Sequence, residues 1–504
     1  MFTAWLLLAP GALAQDLDQL DPGPYAVAIW DWEWDPVSTT NPDTGRPLLA
    51  DHYGRVAYPV DADGAVAEGT FPVVVFAHGR FHSGPTLWSN HLEAGYLIEH
   101  LASWGIIATS VNLDVVGEWS FPAAIPQRGD LIRATLGRTY DLEAQPGTPP
   151  DGLAAAIDPT RAVLIGHSRG GEGSVAAAVQ NLDAGSPLPI VAVATIAPTD
   201  YEDYRLEGLP YMGLYGSKDG DVSTGSPIIL HDRAETPTKL FHYIHGANHF
   251  WFTESIHYGG EGDADLSRPL HHGLAMGYLG GFAYRALYEP DAPASVFVGP
   301  EMGPLTDLAD VLSMYQDPDR FPVDRFEDET LVSLTDLGTP TLRKGWDSVT
   351  ERSLLDSGRT LYHHTRGLEL TWDGGRPHWV AMLPDGDFDA TAWSHVSLKL
   401  AQMYDSALNF DGRDQELTVG MRDAAGNLAM VRLSDHGRIA YPVTHPSFWG
   451  TFPEKTVLHT TRIPLEAFTD ANPAFDPAHI LGVGIRGDIS PSGHLFVDDV
   501  EFTQ

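Results

Sequence analysis

Ser168 stands at the centre of residues 166–170, whose sequence GHSRG fits the pattern G-x-S-x-G. The apolar run 162–165 precedes this sequence and the small-residue segment 171–178 follows it, which predicts a strand and then a helix. A sharp turn between a strand and a helix exposes the serine hydroxyl and places the positive end of the helix behind it. The pattern therefore predicts a nucleophile.

A serine hydroxyl is a weak nucleophile at neutral pH, so it needs a base to take its proton and an acid to orient that base. The predicted strand 210–215 leads into an acidic loop with Asp219 and Asp221. The predicted strand 239–244 leads into a loop with His249. A serine, an aspartate and a histidine, each after a strand and in this order, predict a triad for acyl transfer.

Acyl transfer also needs two backbone amides that meet the developing oxyanion. The amide of Arg169, directly after the serine, is predicted to be one of them. The second is expected in the loop after the apolar run 71–77, where the amide of Arg80 is the first candidate and that of Phe81 is the alternative.

The elements that must position these residues change in character along the chain. Up to about residue 288, continuous apolar runs such as 71–77 and 161–165 alternate with helical patterns such as 90–103. Buried strands separated by helices predict an α/β unit with a mostly parallel sheet covered on both faces. From about residue 320, short alternating segments between glycine-rich turns predict an all-β sandwich or jelly roll.

These changes divide the chain into an α/β unit at 22–288, a proline-rich linker at 289–320 and a β unit at 321–504. Residues 1–14 are expected to be an export signal, because a short apolar core precedes an A-x-A sequence. The basic segment that normally precedes such a core is not in the sequence, so we expect the signal to be truncated. No later stretch is apolar enough to span a bilayer, and we expect a secreted or periplasmic protein.

The charge balance limits the classes of partner. The 504 residues include 30 basic and 68 acidic ones, with a net charge of −38. Such a surface argues against nucleic acid and against anionic lipid as partners. The chain has no cysteine, which excludes disulfides and thiolate sites, and it has no H-E-x-x-H sequence. We therefore expect no catalytic metal and no cofactor.

Five segments carry a resemblance to a known family: 23–27, 71–79, 166–171, 216–219 and 246–249. Together they resemble the α/β-hydrolase superfamily, and within it the branch of dienelactone hydrolases, platelet-activating-factor acetylhydrolases and cutinase-like polyesterases. The sequence GHSRGG also resembles that of chlorophyllases, which hydrolyse esters. The resemblance covers 22–288 and implies an α/β-hydrolase fold with serine carboxylic-ester hydrolase activity.

Two aspartates remain candidates for the acid of the triad. In the family, the acid commonly stands three residues after a glycine that ends its strand. Gly216 then favours Asp219, and Asp221 is the alternative. The resemblance also implies that His78 and His167 hold the turns next to the site.

Aromatic residues near the triad predict a substrate cleft. Phe81 and Trp88 follow the oxyanion loop, and Trp251 follows His249. These side chains would line a cleft for an acyl chain or an aromatic ring. Packing within the core is the alternative.

Three segments of the β unit, 323–328, 459–465 and 495–502, resemble strands of carbohydrate-binding jelly-roll domains. The resemblance implies a polysaccharide partner. It also implies calcium at Asp498 or Asp499, since calcium prefers carboxylate oxygens. A passive unit that stabilises or anchors the enzyme is the alternative.

These features lead to the expectation of an exported serine esterase that acts on a small-molecule ester or on a bulky, polymeric one. An appended binding unit would raise its effective concentration on an insoluble substrate. One alternative is a serine peptidase on the same fold. The other is a non-catalytic carbohydrate-binding or adhesion protein with a silent hydrolase scaffold.

Overall fold

The structure is a computed structural model of a mixed α/β protein, in which strands outnumber helices. A nine-stranded mixed sheet is followed by two antiparallel sheets. The structure describes residues 20–80, 90–116, 124–254, 264–292, 294–298, 305–327, 332–357, 360–443 and 454–504.

The first sheet has the strand order β1-β2-β4-β3-β5-β6-β7-β8-β9. The pairs β1–β2, β2–β4 and β8–β9 are antiparallel, and the pairs between them are parallel. The strands are β1 (Ala26–Thr40), β2 (Pro47–Val60), β3 (Phe71–Ala77), β4 (Ile107–Val111), β5 (Ile157–His167), β6 (Ile190–Ile196), β7 (Tyr211–Gly216), β8 (Lys239–Ile244) and β9 (Val311–Gln316).

Apolar residues fill both faces of the first sheet. Every residue of β3 is buried, with Val73 and Val75 in one hydrophobic cluster and Val74 and Phe76 in another. Successive strand residues point to opposite faces, so a continuous apolar run serves a sheet that is covered on both sides. The cover consists of α1 (Gly95–Ser103), α2 (Ile125–Tyr140), α3 (Arg169–Asp183), α4 (Ser226–Arg233), α5 (Arg268–Ala275) and α6 (Gly281–Tyr288), with the short α7 at Leu305–Leu308.

In the β unit, the six-stranded sheet has the order β12-β13-β20-β15-β18, with β10 also paired to β20. The five-stranded sheet has the order β11-β14-β19-β16-β17. The elements are β10 (Arg320–Asp324), β11 (Thr341–Lys344), β12 (Ser348–Ser357), β13 (Thr360–Asp373), β14 (His378–Met382), β15 (His395–Gln402), β16 (Thr418–Asp423), β17 (Leu428–Arg432), β18 (His459–Pro464), α8 (Leu465–Ala471), β19 (Ile480–Arg486) and β20 (Ser492–Thr503).

The two antiparallel sheets of the β unit share one core. Leu370 and Trp372 of the six-stranded sheet lie in the same buried cluster as Trp379, Val483 and Ile485 of the five-stranded sheet. Alternate residues of each strand face this core, which explains the short alternating segments of the sequence. Among the helices of the described residues, none is long and apolar enough to cross a membrane.

The sequence predicts a linker over the whole of the proline-rich segment 289–320. In the structure, part of this segment belongs to the first sheet. Its residues 311–316 form β9, which pairs antiparallel with β8 from Lys239↔Gln316 to Ile244↔Val311. Leu312 and Met314 are buried against the first sheet. Apolar side chains at alternate positions pack a strand onto a sheet edge even where prolines surround it. The first unit therefore extends to β9.

Candidate active site

Ser168 lies between the last residue of β5 and the first residue of α3. Its φ of 55° and ψ of −127° are a conformation that non-glycine residues rarely adopt. The Ser168 amide donates to the carbonyl of Ile196, and its carbonyl accepts from the amide of Gly171, at 2.8 and 2.9 Å. The neighbouring strand and the new helix thus hold the serine in its unusual backbone conformation.

The glycines of the serine turn (residues 166–170) are required by close backbone contacts. A Cβ on Gly166 would lie 2.2 Å from the carbonyl oxygen of Gly170, and a Cβ on Gly170 would lie 2.2 Å from that of Ala77. A Cβ on Gly79 would lie 2.9 Å from the Cβ of Ser168. Only residues without a side chain allow the loop after β3 to approach the serine this closely.

His249 and Asp219 are joined by a buried hydrogen bond. The Nδ1–H of His249 donates to Oδ2 of Asp219 at 2.7 Å, and both side chains are shielded from solvent. The other carboxylate oxygen, Oδ1, accepts from the amides of Asp221 and Val222 at 3.1 and 2.7 Å. The carboxylate therefore fixes the histidine tautomer with the proton on Nδ1 and leaves Nε2 as the basic nitrogen.

Two loops hold this pair in place. β7 ends at Gly216 before the aspartate loop, and β8 ends at Ile244 before the histidine loop. A Cβ on Gly216 would lie 2.4 Å from the carbonyl oxygen of Ala247, so the two loops are in direct backbone contact. The His249 ring lies 4.5 Å from that of His167, the residue before the serine. The structure thus brings the three predicted triad residues to one end of the sheet.

The two candidate aspartates face opposite nitrogens of the imidazole. Asp219 is buried and contacts Nδ1. The Asp221 side chain is 52% exposed, and its Oδ2 lies 3.5 Å from Nε2. An orienting carboxylate acts on Nδ1, so the geometry gives this position to Asp219. Asp221 is a second, solvent-screened charge next to the nitrogen that would exchange the proton.

The predicted oxyanion donors lie on the two elements next to the serine. Arg169 is the first residue of α3, and Arg80 follows β3. His78 supports this loop, because its Nδ1–H donates to the carbonyl of Gly79 at 2.6 Å and its Nε2 accepts from the amide of Leu113 at 2.8 Å. Burial lowers the pKa of His78, which keeps it neutral.

Two of the three predicted cleft residues, Phe81 and Trp88, lie outside the described residues. Trp251 is half-buried and follows the histidine loop, where its amide donates to Oδ1 of Asn248 at 3.1 Å. Its ring meets the edge of the His271 ring at a centroid distance of 5.8 Å. Trp251 therefore packs beside the site, as part of the support of the histidine loop.

Glu172 stabilises the first turn of α3 from inside the protein. Its Oε1 accepts from the amides of Tyr201 and Glu202 at 2.7 and 2.8 Å, and its Oε2 accepts from the hydroxyl of Thr199 at 2.6 Å. Burial raises the pKa of this carboxyl to about 7. The residue joins the helix that begins at the serine to the segment after β6.

A lysine of the β unit packs against Tyr215, next to the aspartate loop. The sequence did not predict this contact. Lys455 is 2% exposed, and its ammonium lies 5.3 Å from the ring centroid of Tyr215. The Tyr215 hydroxyl donates to the carbonyl of Val222 at 2.6 Å, and the Val222 amide donates to Asp219. Burial lowers the pKa of Lys455 to about 8. No motif marks Lys455, so only the tertiary structure could find it.

A second set of contacts holds the β unit against α4. Oδ2 of Asp232 accepts from Nδ1–H of His363 at 2.8 Å and from the amide of His364 at 2.9 Å. Nε2 of His363 accepts from the amide of Leu458 at 2.9 Å. A fully buried histidine thus connects a helix of the first unit to the segment that carries Lys455.

The calcium implied for Asp498 or Asp499 does not fit the donors present. The ammonium of Lys399 already binds the Asp499 carboxylate, and Oδ1 of Asp498 accepts from the amide of Asp499 at 2.8 Å. The adjoining cavity of about 540 Å³ is lined by acidic side chains together with basic ones, among them Lys239 and Arg320. Among the described residues, no group of three or more His, Asp or Glu side chains could hold a metal ion.

No protein-family model matches the chain, and no curated protein matches it.

Proposed function

We propose that this chain is a serine carboxylic-ester hydrolase of the α/β-hydrolase superfamily, with Ser168 as nucleophile, His249 as base and Asp219 as orienting acid. The observation that carries the proposal is the 2.7 Å hydrogen bond between His249 and the buried Asp219. This bond occurs at the same sheet end as a serine held at a positive φ between a strand and a helix. A purely structural role seldom needs a buried carboxylate, a histidine bonded to it and a serine at positive φ at the same sheet end.

The architecture supports this assignment. The sheet is parallel in its centre and antiparallel at β2, and its strand order exchanges β3 and β4. The serine follows β5, the aspartate follows β7 and the histidine follows β8, which is the chain order expected for this superfamily. We assign the β unit to the jelly-roll class for the same kind of reason: two antiparallel sheets enclose one core.

In the proposed mechanism, Nε2 of His249 takes the hydroxyl proton of Ser168 as Oγ attacks the ester carbonyl carbon. The carbonyl oxygen becomes an oxyanion that accepts hydrogen bonds from the amides of Arg169 and Arg80. His249 then protonates the leaving alkoxide, and an alcohol departs from the acyl-enzyme. Water, deprotonated by His249, attacks the acyl carbon, and His249 then returns this proton to Ser168 Oγ as the acyl C–O bond breaks, which releases the carboxylic acid and regenerates free Ser168.

We further propose that the enzyme is exported and acts on bulky or polymeric esters. The apolar core and A-x-A sequence within residues 1–14, which lie outside the described residues, support export. The close attachment of the β unit next to the aspartate loop supports a substrate that extends beyond the catalytic pocket. A polysaccharide is the partner proposed for that unit from the resemblance of its strands.

Turnover of p-nitrophenyl esters with acyl chains of increasing length tests the proposal. We expect hydrolysis by the wild-type chain and a loss of at least 10³-fold in kcat for Ser168→Ala. Ser226→Ala is the matched control, because it removes a serine hydroxyl that bonds Thr224 outside the site, and it should retain activity. Absence of turnover on every ester, or turnover that survives Ser168→Ala, would contradict the proposal.

A further inference from the structure

The outer face of the five-stranded sheet forms a cavity of about 820 Å³, which we call the basic trough. Glycines line its floor at neighbouring positions on the central strands. Gly484 of β19 pairs with Gly420 of β16, and Gly482 stands two residues earlier on β19. The neighbouring strands approach these positions closely, because a Cβ on Gly484 would lie 2.1 Å from the Trp379 carbonyl oxygen and a Cβ on Gly420 would lie 2.5 Å from Met430 Sδ. The glycines line the bottom of the cavity, and side chains of the strands on either side form its walls.

The walls of the basic trough are aliphatic. Leu342 and Val380 pair across β11 and β14 on one side of the glycine floor, and Leu428 and Met430 stand on β17 on the other side. Leu342 is 52% exposed and Leu428 is 50% exposed. Exposed aliphatic side chains around a groove favour an apolar ligand segment.

The polar side chains of the basic trough are cationic or imidazole groups. Lys344, Arg376, Arg422 and Arg486 line it together with His378, and no acidic or amide side chain lines it among the described residues. Arg486 has an ion pair with Asp488 at 3.2 Å, outside the lining. Sugar hydroxyls need acceptors as well as donors, which this lining does not supply through its side chains. Anions need only donors.

All of these groups except Arg422 are concentrated at one end of the basic trough, and Arg422 lies towards the other end. Lys344, His378 and Arg486 occupy one row across three adjacent strands, because Lys344 pairs with His378 and His378 pairs with Arg486. Arg376 precedes that row by two residues. A positive cluster on a protein of net charge −38 is a local exception that attracts anions. Guanidinium and ammonium groups bind carboxylates with charge-assisted hydrogen bonds.

We propose that the basic trough binds an aliphatic carboxylate, with its chain between the leucine and methionine walls and its carboxylate at the cationic row. The site is separate from the triad, so it adds a binding function to the proposed hydrolysis. Aliphatic carboxylates are also the acid products of ester hydrolysis, and a carboxyl-terminated aliphatic polyester presents the same chemistry.

Calorimetric titration of the whole chain with sodium decanoate, below its micellar concentration, tests this site. We expect saturable binding that weakens at least tenfold in the double variant Lys344→Glu, Arg376→Glu, and also in Leu342→Glu. Arg343→Glu is the matched charge control, because Arg343 is exposed on the same strand but points to the opposite face. Leu49→Glu, at a leucine that is 70% exposed on β2, is the apolar control.

Each outcome of this titration supports or overturns the proposed carboxylate site in the basic trough. Loss of decanoate binding in the trough variants, with both controls unchanged, supports the site. No saturable binding, or binding that survives both trough substitutions, overturns it. Tighter binding of maltohexaose than of decanoate at the same residues also overturns it. None of these outcomes depends on whether Ser168→Ala abolishes ester hydrolysis.

A different observation carries a second inference, which rests on the proposed function. The ammonium of Lys455 is held over the Tyr215 ring, and the Tyr215 hydroxyl and the Val222 amide lead to Oδ1 of Asp219. Each connection in this series is buried. We infer that Lys455 is a positioning residue for the triad, so that the β unit completes the active site of the first unit.

The charge environment of this lysine and of His249 defines what a substitution would change. Asp219, Glu454 and the hydroxyls of Tyr243 and Tyr362 are the titratable groups whose charge acts on Lys455 and Tyr215. His249 faces Asp219 and Asp221 as well as the ring of His167. Lys455 acts by its charge on Asp219, the carboxylate bonded to His249, so removal of the lysine charge should move the acid limb of the pH profile.

The pH dependence of kcat/KM for a p-nitrophenyl ester tests the role of Lys455. In Lys455→Met, we expect a kcat at least tenfold lower and an acid limb moved upward by roughly half a pH unit. Lys455→Arg should restore the acid limb. Lys399→Met is the control, since it removes another buried lysine of the β unit that pairs with Asp499 rather than contacting Tyr215.

The outcomes separate this inference from the proposed function. If the wild-type chain hydrolyses esters and Lys455→Met has an unchanged kcat and acid limb, the positioning role is wrong. An equal effect in Lys399→Met would also contradict it, because the effect would then be one of general stability. A wild-type chain without ester hydrolysis contradicts the proposed function itself, and the decanoate titration is unaffected.

Discussion

Each ring nitrogen of His249 faces a carboxylate, and burial distinguishes the two. Asp219 is shielded from water and receives two backbone amides in addition to the imidazole, whereas Asp221 is half-exposed. A buried and fully bonded carboxylate holds one tautomer of the imidazole, and an exposed one contributes a screened charge. The two aspartates should therefore differ in their importance for turnover.

Separate amide substitutions measure this difference. Asp219→Asn should lower kcat by about 10³- to 10⁴-fold, because an amide favours the wrong tautomer of His249. Asp221→Asn should change kcat less than tenfold. Steady-state kinetics on a p-nitrophenyl ester checks both variants. A larger loss for Asp221→Asn than for Asp219→Asn would reverse the assignment of the acid.

The sequence predicts Ser168 and His249 because a motif or a strand-end position singles out each of them. It leaves the choice between Asp219 and Asp221 open, since they are two residues apart in one loop. The backbone turn after Asp219 distinguishes the two aspartates. The amides of Asp221 and Val222 donate to the Asp219 carboxylate, which is buried. This turn depends on contacts with the histidine loop, which local sequence does not encode.

Glu172 makes stability depend on pH. Its ordinary pKa of 4.5 is raised by burial to about 7 in the folded chain. Between these values the folded state binds the proton more tightly than the unfolded state, so this contribution is fully present below pH 4.5 and is lost as pH rises through 7. Glu172→Gln removes the titration, and the amide can still accept from both backbone amides.

We compare the free energy of unfolding of Glu172→Gln with that of the wild type at pH 4 and at pH 8. The difference, variant minus wild type, should be larger at pH 8 by at most about 3 kcal/mol. Chemical denaturation at both pH values measures the change. The same difference from wild type at the two pH values would show that Glu172 does not titrate in this window.

At the scale of elements, the serine turn depends on close backbone packing as well as on the chemistry of Ser168. β5, α3 and the loop after β3 meet so closely that two motif glycines have no room for a Cβ. The G-x-S-x-G pattern alone is therefore weak evidence, but its glycines have a steric reason in this fold. The backbone geometry of Ser168 and the stability of the turn depend on the same contacts.

Gly170→Ala should lower the free energy of unfolding by about 3 kcal/mol or more, because its Cβ would lie 2.2 Å from the Ala77 carbonyl oxygen. Gly137→Ala is the control in α2, where the nearest atom to the new Cβ is Leu188 Cδ2 at 3.8 Å. That substitution should stabilise the chain by about 0.5–1 kcal/mol. Thermal denaturation compares them, and similar Tm values for the two variants would contradict the steric argument.

The strands of the first sheet are predictable where their apolar runs are continuous, as in β3 and β5. β9 could not be predicted from the sequence, because the prolines around it suggest a linker and its partner β8 lies far away in the sequence. Its place depends on the packing of Leu312 and Met314 onto the sheet. Likewise, only long-range contacts place Lys455 under the aspartate loop.

At the scale of the whole molecule, the two units share apolar packing. One buried cluster contains Tyr215, Ile244 and Met314 of the first unit together with Leu361 and Leu458 of the β unit. The Asp232–His363 hydrogen bond lies at the same junction. Interfaces that continue a hydrophobic core make domains unfold together.

We therefore expect a single unfolding transition in differential scanning calorimetry, with equal calorimetric and van't Hoff enthalpies. His363→Ala should leave Asp232 without one buried partner and lower that transition, whereas His364→Ala, which keeps the backbone amide bond to Asp232, should change it less. Two separate transitions in the wild-type chain would show that the units are energetically independent.

Covalent labelling with a fluorophosphonate tests the central claim most directly, because only an activated serine reacts with this electrophile. Peptide mapping of the labelled wild-type chain should place one adduct on Ser168, and His249→Ala should abolish the label without unfolding the chain. An absent label, a label on another serine or a label that persists in His249→Ala would contradict a Ser168–His249–Asp219 triad.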